Sequence, residues 1–344
     1  MLHGIMLLVM VHWFLISVTY LREISWLAIL GAGLLFLLGW LKRDGVKRAL
    51  AWLTQHKKGF LLGAIVFQLI VMVCAELLIR RDAAVVFKGA FELLKQSSIT
   101  NYLSRNPNNI PLFLYEKFFY VLFGSSGLWV MQLLNMLYVN LGAVLLYKLS
   151  QKHFNQKTAD LVYLFYVSLI CYSPYFYSMY TDIPPLPLIA LQLWWALDLL
   201  KENQAGISWK KMFGLGILSG VTMLIRPTTI IVMIAFWAVL FFRGNWKVFG
   251  KIATVTVMTT GFVFAGLNTA VNHQRVVPIL KEEGLSKGPL LFINLGLTDM
   301  GHNQEDMKEG LLAYIDEDKR SDYNNGLFKK ENVIKEIKRR LVEY

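Results

Sequence analysis

Four short polar phrases stand at the ends of apolar runs, and each carries residue types capable of chemistry. In Ala75-Glu76-Leu77-Leu78-Ile79-Arg80-Arg81-Asp82 a carboxylate follows an apolar run directly. At a membrane boundary Asp82 is expected half desolvated, where a carboxylate can act as a general base. The competing reading is that Asp82 caps the helix after it. Glu76, four residues before Arg80, reads as a local helical ion pair. Tyr180-Thr181-Asp182-Ile183-Pro184-Pro185 is an acidic turn that either caps or orients a ligand. In Leu224-Ile225-Arg226-Pro227-Thr228 an arginine lies between two apolar runs. It either snorkels to the interface or grips a phosphate bidentately. The fourth phrase, Phe292 to Asn303 with Glu305 and Asp306, contains Asp299 and His302, but its spacing matches no metal-ligand motif and reads as a solvated polar loop.

The elements that must position these residues are set by hydropathy. With 344 residues, 56% of them apolar and 17% charged, and a mean hydropathy of +0.47, the chain is too apolar for an ordinary soluble domain. Apolar runs fall at residues 5–21, 24–41, 60–79, 126–147, 158–178, 184–200, 212–226, 228–242 and 252–271. Only helices and closed barrels satisfy backbone polar groups in lipid, so these runs predict an all-α, polytopic bundle of about nine spans over residues 1–271. The run 212–226 is short and glycine-rich, as suits a buried span in close contact with others. The run 5–21 has no cationic stretch before it and no small-residue cleavage site after it, so it is kept as a span rather than a signal peptide.

Basic residues give the sides. Lys42, Arg43, Lys47, Arg48, Lys57 and Lys58, then Lys148, Lys152 and Lys157, then Lys201, Lys210 and Lys211, then Arg243, Lys247 and Lys251 all fall on one side of the nine-span arrangement. The positive-inside rule makes that side cytoplasmic and places the N-terminus inside a plasma membrane. Residues 80–125, the turn at Tyr180, Arg226 and the polar segment 272–344 are then extracytoplasmic. This distribution also accounts for the net charge of +12 without nucleic acid, whose surfaces interleave basic and aromatic residues.

The large outer loop 80–125 carries Phe87, Ala90, Phe91 and Leu94 opposite Lys88, Glu92, Lys95 and Gln96, which predicts an amphipathic interfacial helix. Arg105 to Pro111 reads as a turn cluster, and Leu112 to Phe123 as a second interfacial stretch. Helical signals follow at Gln304 to Asp318 and Lys330 to Val342, the latter with a stripe of Val333, Ile334, Ile337, Leu341 and Val342. Cys74 and Cys171, each in an apolar run, form no disulfide framework or zinc motif. Nor is there a P-loop, a dinucleotide fingerprint or a nucleophile elbow.

Taken in order, Asp82 before Phe87-Lys88-Gly89-Ala90, then Asn106-Pro107-Asn108-Asn109, Met179-Tyr180-Thr181-Asp182, Arg226-Pro227-Thr228 and the Asn294 to Asn303 loop resemble the membrane glycosyltransferases of the GT-C fold. The resemblance is to family 39, which includes protein O-mannosyltransferases and bacterial cell-envelope sugar transferases, and it covers residues 60–305. It implies inverting transfer of a sugar from a polyprenyl-phosphate donor to a hydroxyl of a glycopolymer, lipid or protein of the cell envelope, with no cofactor and no divalent metal. By position Asp82 is the implied base and Arg226 the implied contact to the lipid phosphate. Asp182, Asn108 and Asn109 orient sugar or acceptor, and Arg81 and Tyr180 belong to the same substrate-binding set. Members of that family commonly continue with further spans where this chain stops at Tyr344, so a C-terminally truncated member is expected. An inactive remnant serving as an assembly subunit stays an alternative, as does a flippase for lipid-linked saccharides. A flippase places ionisable groups at mid-membrane depth, whereas mid-span positions here look nearly free of charge.

Overall fold

The computed structural model describes residues 42–76, 79–201, 208–288, 290, 291, 293 and 329–343. The runs 5–21 and 24–41, the loop 294–303 and the helical signal at Gln304 to Asp318 lie outside the described residues. Among the described residues all regular structure is helical. The helices are α1 (Arg43–Gln55), α2 (Lys57–Cys74), α3 (Arg81–Ala90), α4 (Gln96–Arg105), α5 (Ile110–Phe123), α6 (Gly127–His153), α7 (Gln156–Tyr166), α8 (Leu186–Lys201), α9 (Trp209–Ile225), α10 (Ile230–Phe242), α11 (Trp246–Asn272) and α12 (Lys330–Glu343). The stretches Lys57–Cys74, Pro107–His153 and Trp246–Asn272 are long and apolar enough to cross a membrane. The runs 158–178, 184–200, 212–226 and 228–242 form shorter helices, of 11 residues in α7, 16 in α8, 17 in α9 and 13 in α10.

Within the run 158–178 the helix does not persist. α7 widens into a π turn at Val167–Cys171 and a 3-10 turn at Pro174–Tyr177, because a proline forces the residue before it, here Ser173, into extended backbone. The disturbed backbone is satisfied from a neighbouring helix. Gln68 of α2 donates to the Cys171 carbonyl at 2.8 Å, and its own oxygen accepts from Asn140 of α6 at 2.6 Å. Such bonds between buried side chains are what hold helices together where lipid supplies no hydrophobic force between them. Gln192 of α8 donates to Thr222 of α9 at 2.6 Å, and Trp237 of α10 to Thr256 of α11 at 2.9 Å.

α9, the weakest run by hydropathy, packs closely against α11. A Cβ on Gly216 would lie 2.6 Å from the Thr259 side chain, and one on Gly220 would lie 2.8 Å from that of Val263. Thr260 of α11 donates to the Gly216 carbonyl at 3.2 Å. The two glycines, four residues apart, present one flat face to α11.

Helix ends sort into two groups. At one end Lys57, starting α2, pairs with Asp160 near the start of α7 at 2.9 Å. At the same end Asp198 of α8 takes Lys152 of α6 at 2.7 Å and Lys211 of α9 at 3.4 Å, Lys201 bonds the His153 carbonyl, and Arg243 that of Leu200. The basic links therefore gather at one end of the bundle, and Asp82, Asp182 and Arg226 follow from the opposite helix ends.

The amphipathic helix expected across Phe87 to Gln96 is two helices. α3 stops at Ala90, Glu92 takes the left-handed backbone (φ 60°), and Leu93 N–H bonds the Lys88 carbonyl while Glu92 N–H bonds that of Gly89. This is a Schellman stop with glutamate where glycine is usual. Glu92 is held from outside, since its carboxylate meets Lys117 of α5 at 2.6 Å and that ion pair lowers its pKa. Phe87 stacks on Phe91 with ring centroids 4.2 Å apart, and α3, α4 and α5 share a core of Val86, Ile99, Leu103, Ile110 and Phe113. α12 forms where its periodicity predicts, with Leu341 and Val342 exposed.

Two local readings change. α2 ends at Cys74, so Glu76 and Arg80 do not share a helical turn. Glu116 of α5, in the stretch read as interfacial, is fully buried, and neither carboxylate oxygen has a partner among the described residues.

Substituting Gly220 with Val is expected to pry α9 from α11 and lower the midpoint of thermal unfolding in detergent, whereas Gly250→Val, at a position with open space around it, is expected to leave it within error. Equal melting curves for the two variants would contradict the close packing.

Candidate functional site

Asp82 stands in the first turn of α3. The helix begins abruptly, with Arg80 extended (φ −125°, ψ 163°) as its N-cap and Arg81 in the left-handed region (φ 54°). A non-glycine residue there stores about 1–3 kcal/mol of strain that the surroundings must offset. Asp82 is thus not the cap. It occupies the helix N-terminal turn, where the unpaired N–H groups favour an anion. It is also exposed rather than half desolvated, because the start of α3 opens on a pocket instead of packing.

A chain of side chains leads from this carboxylate into the bundle. Tyr102 of α4 lies beside Asp82, on the same pocket and near enough to feel its charge, and accepts from Asn109 Nδ2 at 2.7 Å. Asn109 is buried, fixed in the 3-10 turn Pro107–Asn109 that links α4 to α5. Its Oδ1 accepts from Tyr180 Oη at 3.5 Å and from Asn108 Nδ2 at 3.4 Å. Tyr180 in turn carries the Arg226 guanidinium over its ring, 5.5 Å from the centroid. Arg226 pairs with Asp182 at 2.9 Å and donates to Thr181 Oγ1 at 3.2 Å. The turn bearing Tyr180 to Asp182 is pinned by Asn135 of α6, which donates to the Ser178 carbonyl at 3.0 Å, and by Tyr177, which donates to that of Ala75 at 2.6 Å.

Burial raises the Tyr102 pKa, and the charge of the neighbouring Asp82 carboxylate raises it further. Tyr180 is raised first by burial and then by Asp82, with Arg226 working against it. Both hydroxyls therefore stay protonated donors at any physiological pH. The Arg226–Asp182 pair, about a third exposed on each side, adds at most about 1 kcal/mol of stability. Its contribution is positional.

Two pockets flank this chain. One, about 360 Å³, is apolar and lined by Leu112, Tyr115, Tyr138, Leu141, Leu188, Leu191 and Ile225, together with Thr181. Because Thr181 also accepts from Arg226, this apolar space abuts the ion pair. The other, about 490 Å³, is polar and lined by Asp82, Ser98, Asn101, Tyr102, Arg105, Asn106 and Lys287.

The residues singled out from the sequence thus separate. Asp82, Asn109, Tyr180, Asp182 and Arg226 are linked through the chain. Asn108 is exposed and touches it only through Asn109, and Arg81 is exposed and does not line the polar pocket. Arg226 has Asp182 as its partner, so Asp182 is more than a simple cap. Tyr102 and Lys287 were not singled out. Tyr102 had no signal, because Asn109 reaches it across the break between α4 and the 3-10 turn rather than along one helix. Lys287 had none, because its place depends on its N–H bonding the Arg105 carbonyl at 2.9 Å across a long sequence separation. Among the described residues no group of three His, Cys, Asp or Glu side chains is placed to hold a metal ion.

Helices of membrane-crossing length, polar side chains satisfied between helices and a polar chain at one end of the bundle define an all-α integral membrane protein. The chain belongs to the family described as conserved hypothetical integral membrane protein, which it matches over residues 7–336. No curated protein and no solved structure matches it.

Asn109→Ala is expected to strand the Tyr102 and Tyr180 hydroxyls and to cost roughly 1–3 kcal/mol. A lowered thermal midpoint for Asn109→Ala, set against an unchanged one for the exposed Asn108→Ala, is the measurement that checks it.

Proposed function

We propose that this protein is a membrane glycosyltransferase, resembling the GT-C family 39 enzymes, that moves a sugar from a polyprenyl-phosphate donor to an acceptor hydroxyl at the outer membrane face. The observation that carries this reading is the connected chain from Asp82 to Arg226, with an apolar pocket at its arginine end and a polar pocket at its aspartate end. In the proposed reaction the lipid chain of the donor occupies the apolar pocket and its phosphate meets Arg226. The acceptor hydroxyl attacks the anomeric carbon, its proton passes to the Asp82 carboxylate, and the bond from the anomeric carbon to the phosphate oxygen breaks. The electron pair leaves with the polyprenyl phosphate, whose growing charge Arg226 offsets. Tyr102 lines the pocket beside the Asp82 carboxylate, and Asn109 holds Tyr102.

The outer placement follows from the basic links at the opposite end, which the positive-inside rule puts in the cytoplasm. The nine-span arrangement, the plasma membrane and the cell-envelope acceptor belong to the same proposal. One observation favours a flippase instead, the unpartnered buried carboxylate of Glu116, since transport pathways carry ionisable groups inside the helix bundle.

With the purified protein in lipid nanodiscs and a radiolabelled polyprenyl-phosphate sugar, Asp82→Asn is expected to reduce transfer by at least about a hundredfold, the low end for removal of a general base, with the melting curve kept. Full activity in that variant would remove Asp82 from the mechanism. Movement of the lipid-linked sugar across proteoliposomes without transfer, lost in Glu116→Gln, would establish the flippase instead.

A further inference from the structure

We propose that the seam between α9 and α11, at the basic end of the bundle, binds an anionic phospholipid, with its phosphate on Lys210, Lys247 and Lys251 and an acyl chain laid along the apolar residues that follow them. This is independent of the glycosyltransferase reading and needs only an integral membrane protein.

The two helices run side by side in the same direction. Gly216 of α9 meets Thr259 of α11, and Gly220, one turn on, meets Val263, so equal steps along both helices keep them in register. Their starts therefore lie at one level, and there the Lys251 ammonium sits over the Trp209 ring, 4.6 Å from its centroid. On α9, Lys210, Phe213 and Ile217 are spaced by three and four residues and share a face. On α11, Lys247, Lys251, Met258 and Phe262 are spaced by four, seven and four, and share another. Trp209 stacks on Phe213 and lies under Lys251, which puts both faces on the same side of the helix pair. Each face is cationic at its start and apolar beyond.

No carboxylate answers these lysines. From residue 203 to residue 281 the sequence holds no Asp or Glu, and Lys210, Lys247 and Lys251 make no ion pair among the described residues. Lys211 is not counted with them, because Asp198 takes it at 3.4 Å. The counter-charge that fits is an anion, and the apolar residues mark it as a lipid. Met258 is 70% exposed and Phe262 82%, with Phe213 and Ile217 about half exposed, so a hydrocarbon chain descending from the lysines has a surface to lie on. Exposed Trp209 adds an amphipathic ring of the kind that sits at headgroup level. A zwitterionic headgroup would bring its own ammonium against lysines that have no acidic neighbour to receive it, so the seam selects a headgroup of net negative charge.

Binding to the full chain, stripped of lipid in detergent, is measured by native mass spectrometry with phosphatidylglycerol, with phosphatidylcholine of the same acyl chains, and with glycerol 3-phosphate as competitor. Phosphatidylglycerol is expected to bind at least about tenfold tighter than phosphatidylcholine, since each lysine near an anionic headgroup contributes about fivefold. The double variant Lys247→Gln/Lys251→Gln is expected to erase that preference with its melting curve kept, and Lys247→Arg/Lys251→Arg to retain it. Lys148→Gln/Lys157→Gln, which removes exposed lysines of α6 and α7 at the same end, is expected to retain it as well. Glycerol 3-phosphate is expected not to compete at concentrations where the lipid saturates. Equal binding of the two phospholipids by the unaltered protein would overturn the proposal, as would a preference that survives in Lys247→Gln/Lys251→Gln. An equal loss in Lys148→Gln/Lys157→Gln would overturn it too, by making the attraction a property of the whole basic surface, and competition by glycerol 3-phosphate would replace the lipid with a soluble anion.

Discussion

The hydrogen bond from Asn109 to Tyr102, 2.7 Å long and closed to solvent on the asparagine side, is the joint on which the polar site depends. A buried amide has two donors and one acceptor to satisfy, and leaving one unmet costs as much as several surface ion pairs contribute. Asn109 meets its needs by reaching in two directions, to Tyr102 with its nitrogen and to Tyr180 with its oxygen. Those two tyrosines come from separate parts of the chain, one from α4 and one from the turn before α8. The amide thereby fixes the distance between the aspartate end of the site and its arginine end. The 3-10 turn that holds it is in turn fixed by Pro107, so the sequence Asn106-Pro107-Asn108-Asn109 acts through geometry more than through direct contact with a ligand.

Charge is distributed in the bundle by the same requirement for partners. At the basic end Asp198 collects Lys152 and Lys211, and Asp160 takes Lys57, so both of these carboxylates have a cation from another helix. These contacts hold the ends of α6, α8 and α9 together and leave the surplus of lysine and arginine at that surface. At the other end the balance is local. Asp182 answers Arg226, and Asp82 faces Lys287 and Arg105. Glu116 is the exception, a carboxylate inside the helices without a partner among the described residues.

The fold class was legible because lipid leaves few alternatives: long apolar runs have to be helices, and glycines in the weakest run marked a close helix contact. Asp82, Tyr180, Asp182 and Arg226 were legible as a set because each ends an apolar run on the same side. What resisted reading was tertiary. The π turn after Tyr166 depends on Gln68 being present to take the Cys171 carbonyl, and the break of α3 at Glu92 depends on Lys117 of α5. A left-handed glutamate is not a pattern that local propensity would select. Lys287 reaches the site only because the segment after α11 docks on α4, and nothing in its neighbours along the chain announces that.

In the proposed mechanism the Arg226–Asp182 pair has a consequence for the order of events. An arginine already bonded to a carboxylate and to Thr181 is held in place before any ligand arrives, so little side-chain entropy is lost when a phosphate meets it. A planar guanidinium carries five N–H donors, which allows it to keep Asp182 while engaging a second anion. Asp182 then tempers the attraction, since a lone cation beside an apolar pocket would hold the departing polyprenyl phosphate as firmly as the arriving donor. A pair that is partly neutralised stabilises the phosphate most when its charge is greatest, as the sugar leaves, which is the differential binding that accelerates a reaction rather than merely binding its substrate.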